Sequence, residues 1–298
     1  MTGLLSQIRR NVKMFFKDKG MLFTSLITPL ILLVLYVTFL AKVYRDSFSS
    51  SLGEVPCPES LINGVVAGQL MSSLLAVSCI TVAFCSNMLI VQDKVNGAKT
   101  DLLMAPAKRS MHAIAYYLGT LVSTLLISFI ALGLCLAYVG ISGWYMSVGD
   151  VFLCLLDVVL LTMFGTALSS VINFFLTSQG QMSAVGTIVS AGYGFLCGAY
   201  MPIHSFGTGL QNVLCFLPGT YGTSMIRNAA MGGTFREMVS LGWPSEVVEG
   251  IKDSIDCNIY FFGNKVEVWV MYLITALSIA VCLAAYVLCN VLISKKRK

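Results

Sequence analysis

Residues 62–91 read INGVVAGQLMSSLLAVSCITVAFCSNMLIV, a block without one charged side chain. About 20 predominantly apolar residues suffice to cross a bilayer as a helix, so this block spans with length to spare and has to tilt or protrude. Further blocks of the same character run over 21–41, 111–140, 151–176, 182–203 and 266–294. Six of them cannot share one soluble core. The whole composition agrees: 57% of the 298 residues are hydrophobic and only 11% are charged, where a soluble domain carries about a quarter. Mean hydropathy is +0.83. The predicted fold is an all-α integral membrane protein with six transmembrane helices in a single domain over 1–298, with no repeat, low-complexity tract or linker dividing it. Gly and Pro recur in the spans (Pro29, Gly165, Gly192, Gly194, Gly198), where small residues permit close helix packing in lipid.

The flanks of these blocks orient them. Segments 1–20, 92–110 and 295–298 hold five, four and four basic residues, against six (Lys42, Arg45, Arg227, Arg236, Lys252, Lys265) on the opposite face, whose connections are longer. By the positive-inside rule both termini are cytoplasmic. The formal charge of +5 therefore reads as an orientation signal beside anionic lipid, and nucleic acid is not an expected partner. The first apolar run begins past residue 20 and lacks a small-residue cleavage pattern after it, unlike a cleaved signal peptide.

Two regions are neither span nor plain loop. In residues 2–17, Leu4, Leu5, Ile8, Val12, Phe15 and Phe16 share one helical face, with Arg9, Arg10, Lys13 and Lys17 around the other. This predicts an amphipathic helix, assigned to 2–20, lying in the cytoplasmic headgroup plane. Residues 204–265 form a long external segment whose apolar stretches, such as Val213–Leu217, are too short to span and are broken by Gly207, Gly209, Pro218 and Gly219. Irregular backbone at membrane depth requires protein or water to satisfy it, so a re-entrant helical hairpin is predicted around 204–231, with a polar external cap over 232–265.

Chemistry-bearing residues are sparse. His112 and His204 with ten scattered Cys give no zinc-type spacing, and no metal or cofactor is expected on the chain. A G-x-x-x-x-G-K-[ST] phosphate loop is absent. Asp157 is the one acid well inside a span. Two readings of it stay open: lining a transport pathway, or a structural hydrogen bond to a group such as Asn173 or Gln69. Cys57 and Cys257 stand in polar external segments, where a disulfide and two free thiols are equally open. The loop 92–110, interrupted by Gly97 and Pro106, suits short helical pieces between two long spans. Such a piece can dock on a cytoplasmic partner and pass force to both helices.

Four motifs together resemble the permease subunits of ABC-2 type transporters, and they cover nearly the whole chain. The opening Ile8–Gly20, with Arg9, Arg10, Lys13 and Phe16, is similar to the family's interface helix. The loop matches an acidic-basic-x-x-Gly pattern at Asp93, Lys94 and Gly97, followed by Leu102, Leu103 and Pro106. The acid that the family places after Gly-Thr stands here at Asp101, after Gly97-Ala98-Lys99-Thr100. Gly198-Ala199-Tyr200-Met201-Pro202 resembles a Gly-x-x-x-Pro element, and Pro218, Thr220, Tyr221 and Arg227 fall in a Pro-x-Thr-Tyr…Arg-Asn-Ala signature.

The resemblance implies a non-catalytic transport subunit in the cell membrane, paired with a second permease copy, identical or paralogous. Coupling to the ATPase is expected through Asp93, Lys94, Gly97, Asp101, Leu102 and Pro106. Cytoplasmic ABC ATPase subunits would hold ATP and Mg. The implied cargo is amphipathic: a drug, antibiotic, lipid or natural product. Export of lipid-linked polysaccharide is the variant. An ion-coupled secondary transporter would need several intramembrane acids and bases, and a membrane enzyme would need clustered catalytic groups; the sequence has neither.

Overall fold

The computed structural model describes residues 2–52, 57–104 and 108–296. Among them, helices α1 (Thr2–Lys17), α2 (Lys19–Leu35), α3 (Ala41–Leu52), α4 (Glu59–Ser86), α5 (Leu89–Val95) and α6 (Ala98–Met104) come first. Then follow α7 (Arg109–Ser142), α8 (Val148–Phe175), α9 (Gln179–Leu196), α10 (Thr208–Leu214), α11 (Pro218–Ser240), α12 (Ser245–Ser254) and α13 (Val268–Lys296). A small antiparallel hairpin, β1 (Ile259–Phe261) with β2 (Asn264–Val266), pairs Tyr260 opposite Lys265.

Among the described residues, five helical stretches are long and apolar enough to cross a membrane: Lys19–Asp46, Glu59–Val95, Ser110–Ser142, Val148–Phe175 and Val268–Leu292. The block 182–203 behaves differently from the expectation. It folds as α9, which stops at Leu196 after 18 residues. That is about 27 Å of helix, but Gln179, Gln181, Ser183, Thr187 and Ser190 make it more polar than the other five. Gly198 ends it at φ +73, a conformation that glycine adopts without a Cβ penalty. The N–H groups of Ala199 and Tyr200 then both donate to the Gly194 carbonyl, at 2.8 and 3.0 Å.

The second span is the hub. Its apolar residues lie all around the helix, the pattern of a helix buried on every side, and 94% of its most apolar window is buried. Helices α2, α7, α8, α9 and α11 pack around α4. Close approach comes from small residues: a Cβ on Gly165 would stand 2.7 Å from Ile80 Cδ1 and 3.2 Å from the Cys79 carbonyl, so α8 rests directly on the α4 backbone. Gly233 of α11 sits so tightly under the Tyr145 carbonyl that any Cβ there would overlap it.

The first span is not one regular helix. Between α2 and α3, Tyr36–Leu40 forms a π-helical turn, and π-bulges mark functional places in many helices. The predicted hairpin also differs in extent. Its second arm, α11, runs on to Ser240 rather than ending near 231, because Gly222, Ala229, Ala230 and Gly233 let it lie flush against α4 and α8. Arg227 and Phe235 are therefore core side chains. Cys57 and Cys257 are both free thiols in the structure. Cys257 is buried among Met231, Met238 and Val248, and Cys57 packs half-buried against the same cluster.

Candidate functional site

At the end where α1 lies, three elements converge on Asp93. Its carboxylate accepts two hydrogen bonds from Arg10, Nη1 to Oδ2 at 2.6 Å and Nη2 to Oδ1 at 3.0 Å, and a third from the Tyr116 hydroxyl at 2.5 Å. Bidentate pairs of this kind fix orientation as well as supplying energy. The Arg10 guanidinium is held above its usual range by the hydrogen bonds it donates to Asp93, against the opposing effect of burial. Helix α1 is sewn to α7 twice more: Asn11 Nδ2 donates to the Ala115 carbonyl at 3.2 Å, and the Gln7 amide meets His112 Nδ1 at 2.6 Å. Phe15 of α1 packs inward against Met21, Val82, Leu89 and Ile127.

The next residue faces elsewhere. Lys94 Nζ donates to the carbonyls of Asn173, Phe174 and Leu176 at 3.0, 2.6 and 2.9 Å. These belong to the last turn of α8, whose carbonyls have no intrahelical partner and whose dipole favours a cation. Asp93 and Lys94, expected to couple to an ATPase, latch α1, α5, α7 and α8 to one another within the chain. What faces outward is α6: Asp101 is exposed and Met104 is 80% exposed, with Leu102 half-buried. Gly97, at φ +80, makes the turn from α5 into α6. Pro106 lies outside the described residues. On α1, Arg9, Lys13 and Phe16 are exposed, whereas Arg10 turns in beside Gln7, Asn11 and Phe15.

The α4–α5 break carries a group that no sequence pattern singled out. Asn87 is fully buried, and its Nδ2 donates to Ser169 and Ser170 Oγ, both at 2.9 Å, while its Oδ1 accepts from Thr120 at 3.2 Å. One amide thus ties α4, α7 and α8 together where the span bends.

At the opposite end Asp256 is a second hub. It pairs with the buried Arg227 at 3.3 Å and accepts backbone N–H groups from Ile203 at 2.5 Å and His204 at 3.2 Å. Arg227 also donates to the Gly198 carbonyl. Pro202, between those partners, directs the chain into the 3₁₀ turn Ile203–Ser205. The start of α11 is closed by Thr220 Oγ1 on the Leu214 carbonyl, 2.8 Å, and Tyr221 on the Cys215 carbonyl, 2.6 Å. Pro218 occupies the first turn, where a missing N–H costs nothing. The residues of the Pro-x-Thr-Tyr…Arg signature therefore hold the hairpin shut and join it to the cap. Asp256 itself, at φ 54, had no sequence signal beyond its charge.

Asp157 is fully buried, and its Oδ1 accepts from the Tyr272 hydroxyl of α13 at 2.6 Å. Neither Asn173 nor Gln69 is its partner, and Oδ2 has none. Other buried polar groups gather near the π turn: the Tyr36 hydroxyl, both ends of the Gln69 amide and the Ser73 hydroxyl lack hydrogen bonds. Tyr36 faces Ser73, and Tyr44 faces Gln69.

An all-α, multi-pass membrane protein thus gathers its interface helix, a kinked second span and an exposed short helix at one end. That is the build of a permease. The family model described as ABC-2 family transporter protein matches residues 54–288, and the chain belongs to that family. It is a membrane component of an ABC transporter, which implies partnership with an ABC ATPase. A comparison with curated proteins found no match.

Proposed function

We propose that this permease exports an amphipathic small molecule across the cytoplasmic membrane by alternating access, driven by ATPase subunits that are separate polypeptides carrying ATP and Mg. The observation that supports this best is the clasp at one end of the bundle. Arg10, Asp93, Tyr116 and Lys94 tie α1 and α5 to the ends of α7 and α8, while α6 packs Leu102 inward and presents Thr100, Asp101 and Met104 outward. A force on α6 therefore reaches four helices through short charged contacts, and the whole bundle responds.

With α9 added to the five long apolar helices the chain makes six crossings, and both termini fall on the α1 side. The basic residues counted there put that side in the cytoplasm. A second copy of the chain, or a paralogue, completes the transporter. The test is reconstitution in proteoliposomes with a co-purified ATPase subunit: ATP-dependent efflux is expected, and it should vanish when the ATPase's phosphate-loop Lys is replaced. Efflux by this chain with no ATPase present would sink the proposal.

A further inference from the structure

At the end of the bundle away from α1, a cleft of about 650 Å³ opens between α3, α4 and α7, within the roughly 300–1,000 Å³ of small-molecule sites. Polar groups from all three helices line it within reach of a ligand. Lys42, Arg45 and Asp46 of α3 are exposed, Asn63 of α4 is half-buried, and Tyr138 and Ser142 of α7 add hydroxyls. The level is that of the lipid headgroups. Asp46 closes the apolar stretch Lys19–Asp46 and Ser142 closes Ser110–Ser142. Trp144, 50% exposed, stands just beyond, where membrane proteins carry their aromatic belts.

Charge in this cleft is divided. Arg45 donates to Asn63 Oδ1 and is held against α4. Lys42 and Asp46 stand one turn apart on α3, a spacing at which opposite charges can meet. Yet neither makes an ion pair with the other or with any described residue. A cation and an anion about 6 Å apart along the helix axis, both unpaired and both on one cleft wall, complement a ligand that carries both signs. A phosphate joined to an ammonium by a two-carbon bridge is such a ligand. Beneath the charges the groove turns apolar. Val37 and Tyr138 line both the cleft and a narrow crevice that continues from it, walled by Leu33, Leu70, Leu74 and Cys135. Val37 belongs to the π turn, so the bulge forms the step between the polar and apolar parts. Val37 is 45% exposed and Ile141 is 88% exposed, so the groove opens onto the hydrocarbon of the bilayer.

We infer that this groove holds a zwitterionic phospholipid from the leaflet opposite α1. Its phosphate sits at Lys42 and Arg45, its ammonium at Asp46, and one acyl chain passes Val37 into the crevice over Leu70 and Leu74. The inference goes beyond the export reading: the lipid is held at a fixed place on the permease, whatever the cargo.

The test is native mass spectrometry of the full chain released from nanodiscs of equal parts phosphatidylethanolamine and phosphatidylglycerol with matched acyl chains. Photolabelling with a phosphatidylethanolamine that carries an acyl-chain diazirine runs beside it. Phosphatidylethanolamine should be retained in preference, and its label should fall on peptides covering 33–37, 70–74 and 135–138. Asp46→Asn removes only the partner of the ammonium, so the ratio of retained phosphatidylethanolamine to phosphatidylglycerol should fall about twofold to fivefold, the worth of one exposed charge pair. Lys42→Gln should lower retention of both lipids, and Val37→Trp should remove the label at 70–74. All three positions are exposed, and melting temperatures near wild type check that the fold is kept. Equal retention of the two lipids by the wild type, or an unchanged ratio in Asp46→Asn, would overturn the inference. Displacement of the label by soluble glycerophosphoethanolamine as readily as by intact lipid would overturn a membrane lipid as the ligand. Loss of the retained lipid during ATP-driven turnover would overturn its fixed place and make it cargo. Retention without any ATP-driven efflux would count against the export reading and leave the site standing.

Discussion

Replacing Asp93 by alanine leaves a guanidinium and a phenol facing each other with nothing between them. The carboxylate side chain is 5% exposed and that of Arg10 is 29% exposed, so this is a partly buried pair, and three hydrogen bonds of 2.5–3.0 Å end on it. Removing one partner of a fully buried pair costs about 3–5 kcal/mol. Water reaching Arg10 softens that, to about 2–4 kcal/mol by the screening of exposed charge. Helix α1 keeps its Asn11 and Gln7 contacts to α7, so the loss should appear as local opening and leave the fold intact. At 1.4 kcal/mol per decade, α1 opens roughly 30- to 700-fold more often. Hydrogen exchange by mass spectrometry on nanodisc-embedded protein reads this directly in the peptide around residues 7–15, with α8 as an internal reference. Tyr116→Phe should shift the same peptide by only about one neutral hydrogen bond, ~1 kcal/mol. Protection of α1 in Asp93→Ala within about threefold of wild type, on the same affinity scale, would refute the idea that this contact holds the interface helix. Because the Arg10 pKa is raised, the base's share of the stability is present below the ordinary arginine range and lost only above it. The clasp should therefore not weaken at mildly alkaline pH.

Lys94→Met removes the ammonium from three carbonyls at the end of α8; exchange should accelerate at residues 173–176, and ATP hydrolysis should persist with less transport per ATP. Unchanged stoichiometry would exclude Lys94 from force transmission. In the cap, hydrogen bonds from Lys252 and Lys265 lower the Glu249 pKa from 4.5 to about 2. A depressed acid stabilises above its unfolded value and loses that contribution as pH falls through the folded one. Protection of α12 and the β-hairpin should hold flat at and above neutrality and decline below about pH 4.5 towards 2, less steeply in high salt because the pair is half exposed. Gly233→Ala forces a methyl onto the Tyr145 carbonyl and should cost about 1–3 kcal/mol in thermal unfolding; an unchanged melting temperature would mean that α11 can slide. Asp157→Asn can still accept from Tyr272, whereas Asp157→Leu orphans that hydroxyl at about 1–3 kcal/mol. Equal stability of the two variants would deny the hydrogen bond a structural role.

Much of this architecture was legible because bilayer physics acts on composition. A charge-free run such as 62–91 has one stable fate, and the alternation of Arg and Leu over 2–17 sets a helix face whatever it packs on. The loop 92–110 was legible as a broken helix from Gly97. Its contacts were not: whether Asp93 points at a partner protein or back at Arg10 depends on the rotation of α5 beyond Asn87, which no local pattern fixes. The same is true of Asp157. Its partner lies 115 residues away on α13, and only the packing of α8 on α13 brings the two together. The length of α11 was missed because 232–265 read as a polar cap, while Gly233 packs tightly under the Tyr145 carbonyl and the helix runs on past it.

The π turn at Tyr36–Leu40 has a consequence for the numbering of the chain itself. A π turn holds one residue more than an α turn would, and each residue of a helix advances it by about 100°. Deleting a single residue from this turn would give a straighter helix and rotate α3 by that angle against α2. Tyr44 and Phe48 would then swing off α4, and Phe48 would leave its place beside Leu61. The first span is geared rather than merely bent: its two halves mesh with α4 at different settings, and the odd residue between them keeps the settings compatible.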